Sequence, residues 1–175
     1  MKYDISALGN ALVDTQYMVD HDFLDEIGLE ADSMTLASAE EHSPIIDKLQ
    51  SMGVESVSDC GGSATNSLVA ASYYGSKCHH VCRVANDEDG KKYLESLQKA
   101  GVQHIGYSKE DSEMPTGKCL IFVTPDAKRT MSSMLGISAY LGSKDINYDA
   151  INNSKIFYIE GYMAVSYTHL TLPTI

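Results

Sequence analysis

Residues 61–66 read Gly61-Gly62-Ser63-Ala64-Thr65-Asn66. Two adjacent glycines let the backbone approach a neighbour or a ligand closely, and the residues after them have a helical pattern. Residues 62–74 fit a helix with Ser63 as N-cap, Leu68 and Val69 as apolar contacts, and Ala70 and Ala71 small enough for close packing. The stretch reads as a tight strand-to-helix turn whose helix offers unpaired N–H groups and a positive end to a polar ligand. Asn66, in the first turn, both donates and accepts, which suits a hydroxyl better than a phosphate. A phosphate cradle of the form G-x-x-x-x-G-K-[ST] is absent, since no lysine follows until Lys77. A helix cap with no ligand would also account for these residues taken alone.

Working outward from this turn, strand-like runs alternate with helical ones, which predicts βαβ units and an α/β fold with a mostly parallel sheet flanked by helices. Residues 3–8 read as the first strand, ending at Gly9, and residues 78–85, 103–107 and 156–160 as later ones. Residues 39–50 and 89–100 read as helices, the second with Tyr93, Leu94 and Leu97 on one face and Gly101 as its stop. Segments 13–19, 33–37, 118–124 and 129–134 fit strands outside the alternation. The last two flank Pro125-Asp126-Ala127-Lys128, a turn signal that makes them a hairpin. Together they predict a small β lid projecting from the main domain.

Composition narrows the function. With 175 residues, 43% hydrophobic and 21% charged, the chain is long enough for one domain with a sizeable core. Its 13 Lys+Arg against 24 Asp+Glu give a net charge of -11, which argues against nucleic acid or an anionic membrane as partner. A small anionic substrate held by one Lys or Arg stays open. Apolar runs such as Leu120-Ile121-Phe122-Val123 fall far short of a span, and the start Met1-Lys2-Tyr3-Asp4 has no signal-peptide core, so a cytoplasmic protein is expected. Cys60, Cys78, Cys82 and Cys119 are then free thiols. In Cys78-His79-His80-Val81-Cys82, strand alternation places Cys78, His80 and Cys82 on one face. Three collinear ligands do not close a tetrahedral site without a distant fourth, so a buried strand is expected there and no metal.

Asp14 follows the first strand and Gly9 by a few residues, near the carboxyl end of that strand, where ligands collect in open α/β sheets. Position alone favours a solvated carboxylate at a strand end. The combination is more specific. Gly9-Asn10-Ala11-Leu12-Val13-Asp14, Gly61-Gly62 with Asn66, Val84-Ala85-Asn86-Asp87-Glu88-Asp89-Gly90, and Pro115-Thr116-Gly117 resemble the ribokinase/PfkB carbohydrate kinases in order and spacing. Gly9-Asn10, Pro115-Thr116-Gly117-Lys118-Cys119, Arg129-Thr130-Met131 and Ile159-Glu160-Gly161-Tyr162 are most similar to the adenosine-kinase-like branch.

The resemblance implies a ribokinase-like fold and ATP-dependent, magnesium-assisted phosphorylation of a hydroxyl on a sugar or nucleoside. Asp14 would accept from two sugar hydroxyls, Gly61 and Gly62 would lie against the sugar, and Asn66 would hold a further hydroxyl. Asn10 and Leu36 would line the space beside the sugar or base, and Arg129 on the lid hairpin is a candidate phosphate contact. Asp87 and Gly90 correspond to a structural turn into a helix. The family's catalytic base, an Asp in a Gly-Ala-Gly-Asp stretch, has no counterpart, because that stretch does not occur in this sequence. No catalytic residue is therefore assigned. Residues 1–164 read as the N-terminal half of such a kinase, with lid strands that could pair in a homodimer. Residues 165–175, beginning Val165-Ser166-Tyr167-Thr168-His169-Leu170, look like a translated sequencing adapter and read as a non-native tail. Two other classes fit the alternation: a Rossmann-type NAD-dependent dehydrogenase half, which would need a glycine fingerprint that Gly9-Asn10-Ala11-Leu12 does not supply, and a non-catalytic sugar- or nucleoside-binding module.

Overall fold

The computed structural model describes residues 1–104, 106 and 113–163. In chain order the elements are β1 (Tyr3–Leu8), β2 (Leu12–Met18), α1 (His21–Glu26), β3 (Met34–Leu36), α2 (Ala39–Ser51), β4 (Ser56–Gly61), α3 (Ser63–Tyr73) and β5 (Cys78–Val81). They continue with α4 (Glu88–Lys99), β6 (Gln103–His104), β7 (Gly117–Val123), β8 (Arg129–Met134), α5 (Tyr148–Asn152) and β9 (Ser154–Ile159), with two 3-10 turns between β8 and α5.

Two sheets result. One has the order β6-β5-β1-β9 and every pairing in it is parallel. The other has the order β3-β8-β7-β2-β4 and is mixed, with the β7–β8 hairpin and the β2–β4 pair antiparallel. The first core cluster joins Ala7 and Cys78 of the parallel sheet to Ala64 and Leu68 of α3 and to Tyr93, Leu94 and Leu97 of α4. That amphipathic stripe of α4 is the one its spacing predicts, and Gly101 adopts φ +77 just past its end, a conformation that favours glycine. A second cluster packs Phe23, Leu24 and Leu49 of α1 and α2 on Tyr17, Leu120 and Phe122, so helices cover one face of the lid sheet. α2 is fixed at its start by a capping box between Ser38 and Glu41.

Several boundaries shift for physical reasons. The lid sheet has five strands where four are expected, because residues 56–61 form an unforeseen edge strand. Ser56-Val57-Ser58-Asp59-Cys60 is polar and almost wholly exposed, so no alternation betrays it. β5 stops at Val81 although Val84 and Ala85 are buried. Their stretch of backbone bonds side chains instead of a strand, with Ser138 Oγ donating to the Arg83 carbonyl and Ala85 N–H donating to Thr116 Oγ1. Of the strand predicted at 103–107, residues 103 and 104 form β6, while 105 and 107 lie outside the described residues, as do residue 164 and the proposed tail at 165–175. β9 begins two residues before its predicted start, and Glu160 N–H still donates to the Leu8 carbonyl. Ser63 is not the N-cap of α3. That position belongs to Gly62, which has no side chain to cap the helix. α1 and α5, of six and five residues, are too short to show a periodicity. Among the described residues no helix is long and apolar enough to cross a membrane.

Candidate functional site

Asp14 lies inside β2, on the lid sheet, and not in a loop at the end of β1. Strand register builds a row through it. Leu36 pairs with Ser133, Ser133 with Cys119, Cys119 with Asp14, and Asp14 with Asp59, one residue from each of the five strands. Side chains in register share a face. Leu36 therefore stands on the same face as Asp14 but three strands away, roughly 14 Å at the usual strand spacing. It also lines a groove of about 690 Å³ with Glu41, Pro44 and Lys48 that does not include Asp14. Ser133 Oγ donates to Cys119 Sγ at 3.3 Å. Burial pushes the Cys119 thiol up to about 11, so it stays neutral near pH 7.

The two glycines leave room for this carboxylate. A Cβ on Gly61 would lie 2.1 Å from Asp14 Cγ, so Asp14 leans into the space that a side chain would fill. At Gly62 a Cβ would meet the Asn10 carbonyl oxygen at 2.4 Å, and its φ of 103 with ψ of 147 is a region populated essentially by glycine. Gly62→Ala is expected to cost on the order of 3 kcal/mol, a fall of roughly 10 °C in Tm. Thermal unfolding checks this, and a Tm within 2 °C of wild type would show that the turn relaxes without loss.

Asp14 is half-buried and its carboxyl is pushed up to about 6. Burial is the main cause, Arg129 opposes it by attraction, and the facing Asp59 adds to it. Arg129, exposed on β8, thus has its charge near this carboxylate, though it sits at the far end of the hairpin, paired with Val123. Asp59 was not among the residues singled out from the sequence. It carries no motif, and only the β2–β4 register reveals it as the carboxylate opposite Asp14. Like charges directly opposed on a sheet destabilise it, so the pair stands out as one that hydrogen-bond donors from a ligand would relieve.

Asn10 is 3% exposed, and its carboxamide oxygen has no hydrogen-bond partner among the described residues. Such an orphaned acceptor costs about 1–3 kcal/mol, which a donor hydroxyl would offset. Asn66 is exposed in the first turn of α3, on the helix that Gly62 starts. Asn10, Asp14, Gly61, Gly62 and the start of α3 are therefore brought together. Leu36 stands apart from them.

The remaining sequence signals are structural. Asp87 caps α4 by accepting from Gly90 N–H, and also accepts from Thr116 N–H and Oγ1–H, which pins residues 115–117 to the helix start. A Cβ on Gly90 would lie 2.1 Å from the Ala85 carbonyl oxygen. Asp89 pairs with Lys118 at 2.8 Å. His80 is fully buried, with Nε2 3.0 Å from Thr65 Oγ1 and Nδ1 3.4 Å from the Ala7 carbonyl, and Thr65 Oγ1 is 2.6 Å from the Tyr93 hydroxyl. Its ring nitrogens thus serve the packing of α3 on β5 and α4. Among the described residues no group of three or more His, Cys, Asp or Glu is arranged to hold a metal.

Against known proteins, residues 34–172 match the pfkB family carbohydrate kinase. Adenosine kinase 1 of Arabidopsis thaliana is 27% identical over 162 residues, covering 89% of this chain and 46% of that protein. The ribokinase of Mus musculus is 29% identical over 100 residues, 55% of this chain and 30% of that protein. In structure, adenosine kinase from Sinorhizobium meliloti superposes with a TM-score of 0.81 at 30% identity, covering 93% of this chain and 48% of that one. A probable sugar kinase from Rhizobium etli gives a TM-score of 0.85 at 28% identity, covering 95% and 49%. The chain spans about half the length of the adenosine kinases it matches.

Proposed function

The chain belongs to the pfkB family of carbohydrate kinases, and from that premise we propose that the intact protein transfers a phosphoryl group from ATP to a hydroxyl of a sugar or nucleoside. This chain supplies the acceptor side. The observation that carries this reading is the convergence of Asp14, half-buried beside Gly61, with the buried and unpartnered carboxamide oxygen of Asn10. Both are acceptors at a glycine-lined turn, and a sugar diol offers two hydroxyl donors. Asn66 adds a group that donates or accepts from the helix side.

The magnesium that the family implies finds no fitting set among the described residues. Among the described residues no acidic cluster suits a divalent cation, and the Gly-Ala-Gly-Asp stretch is absent from the sequence. Arg129 is a candidate for a contact to the transferred phosphate. The contribution of this chain is to bind and orient the hydroxyl-bearing substrate, which in phosphoryl transfer is a large share of the catalysis.

The test is a titration with adenosine, ribose, fructose and NAD, followed by thermal shift. A response to sugar or nucleoside without one to NAD supports the reading, and a response to NAD alone overturns it. The same titration carries a pH prediction. Asp14 accepts hydroxyl protons best as a carboxylate, and with its pKa near 6 it is roughly nine-tenths protonated at pH 5. Affinity is expected to fall about tenfold from pH 7.5 to pH 5, and Asp14→Asn should flatten the profile. The unliganded fold shows the opposite sign. A raised carboxyl pKa stabilises the fold below the ordinary value of 3.8, and that contribution is lost as the pH rises through about 6.

A further inference from the structure

Glu160 is 2% exposed and lies in Ile159-Glu160-Gly161-Tyr162, a stretch that carries the family resemblance but to which the sequence assigns no role. One carboxylate oxygen accepts from the Asn10 backbone N–H at 2.7 Å, and the other accepts from Ala64 N–H at 3.0 Å. The first belongs to the loop between β1 and β2. The second is one of the N–H groups that the first turn of α3 leaves unpaired, where a negative charge is favoured by the helix dipole. Glu160 is itself held to the end of β1 through its own N–H on the Leu8 carbonyl, and its carbonyl accepts from Met163 N–H. Gly9 makes the arrangement feasible. A Cβ there would come 2.5 Å from Glu160 Oε2 and 2.6 Å from the Ala64 methyl.

We infer that Glu160 is a positioning residue, whose carboxylate clamps the loop bearing Asn10 to the start of α3 and so sets the spacing between the acceptors of the sugar site. The inference rests on the proposed reading of that site. It acts through the backbone on both sides: on one, the buried carboxamide of Asn10 with Asp14 four residues on; on the other, the Gly61-Gly62 turn and Asn66. A neutral amide cannot replace it, because its NH2 group would face one of two N–H donors and leave that donor unpaired.

Glu160→Gln in the 175-residue chain tests this with two readouts. Amide hydrogen exchange, resolved by residue, should speed up at least tenfold at Asn10 and Ala64 while Leu68 and Leu97 are unchanged. Affinity for adenosine or ribose, titrated well below the variant's Tm, should fall at least tenfold. Unchanged exchange at Asn10 and Ala64, or a uniform rise across the core, overturns the clamp. Faster local exchange with unchanged affinity shows a purely structural tie and overturns the positioning role. If Glu160→Gln does not fold, Glu160→Asp, which retains the charge but not the reach to both amides, is measured in the same way. Asp14→Ala separates the two layers. Binding lost in Asp14→Ala but intact in the Glu160 variant overturns the inference and leaves the site reading standing. Binding indifferent to Asp14→Ala, or no binding by the unmodified chain, overturns the site reading and the positioning role with it.

Discussion

Asp14→Ala in an active kinase that contains this chain is expected to lower kcat/KM for its sugar or nucleoside by at least about 100-fold. A hydrogen bond to a charged group contributes about 1.5–3 kcal/mol, and two substrate hydroxyls would lose theirs together. The loss is larger than a simple deletion suggests, because Asp14 occupies the space that Gly61 leaves free and its removal leaves a gap there. Asp14→Asn should fall between wild type and Asp14→Ala, since it retains one acceptor oxygen and loses the charge. Kinetics of Asp14→Ala within about threefold of wild type, about 0.7 kcal/mol, would sink the assignment.

The 175-residue chain by itself is expected to show no ATP-dependent phosphorylation of adenosine, ribose or fructose, and to self-associate. Two observations support this. The sequence contains no Gly-Ala-Gly-Asp stretch, which the family resemblance makes the seat of the catalytic base and its anion hole. Independently, among the described residues β9 is the edge of the parallel sheet and carries exposed Ile156, Phe157 and Ile159. Parallel strands are normally covered on both faces, and an exposed apolar edge is a template for pairing with another chain. Turnover above a no-enzyme control, in the presence of magnesium, would overturn the first part. A monodisperse monomer at about 100 μM in analytical ultracentrifugation, on the order of a hundred times a typical assay concentration, would overturn the second. Lys substitutions at Ile156 and Ile159 should then shift an associating chain back toward monomer, by placing charge on the edge.

Much of the architecture was legible along the chain. β1 was predicted at its observed bounds, α2 and α4 to within one residue at each end, and the hairpin of β7 and β8 from its Pro125-Asp126 turn. These elements announce themselves because their signals are local: a stripe at helical spacing, a glycine at a helix end, a turn dipeptide between apolar runs. The candidate site was half legible for the same reason. Asp14, Asn10 and the two glycines lie within short motifs whose order along the chain can be compared with a family.

What the sequence determined by itself, then, is the α/β alternation, the glycine turn into α3 and the family to which the chain belongs. The tertiary structure alone decided that Asp59 faces Asp14, that Leu36 stands three strands from it, and that Glu160 reaches both Asn10 and Ala64. It also decided that β5 would stop short at Val81, with Ser138 and Thr116 serving the backbone beyond it. The reason is one of range. Asn10 and Glu160 are 150 residues apart, and the contact exists only because β1 and β9 pair in register at the far edge of the sheet. A polar edge strand such as β4 has no hydrophobic period to reveal it, and its register, which fixes every cross-strand neighbour, is set by the partner strand and not by its own residues.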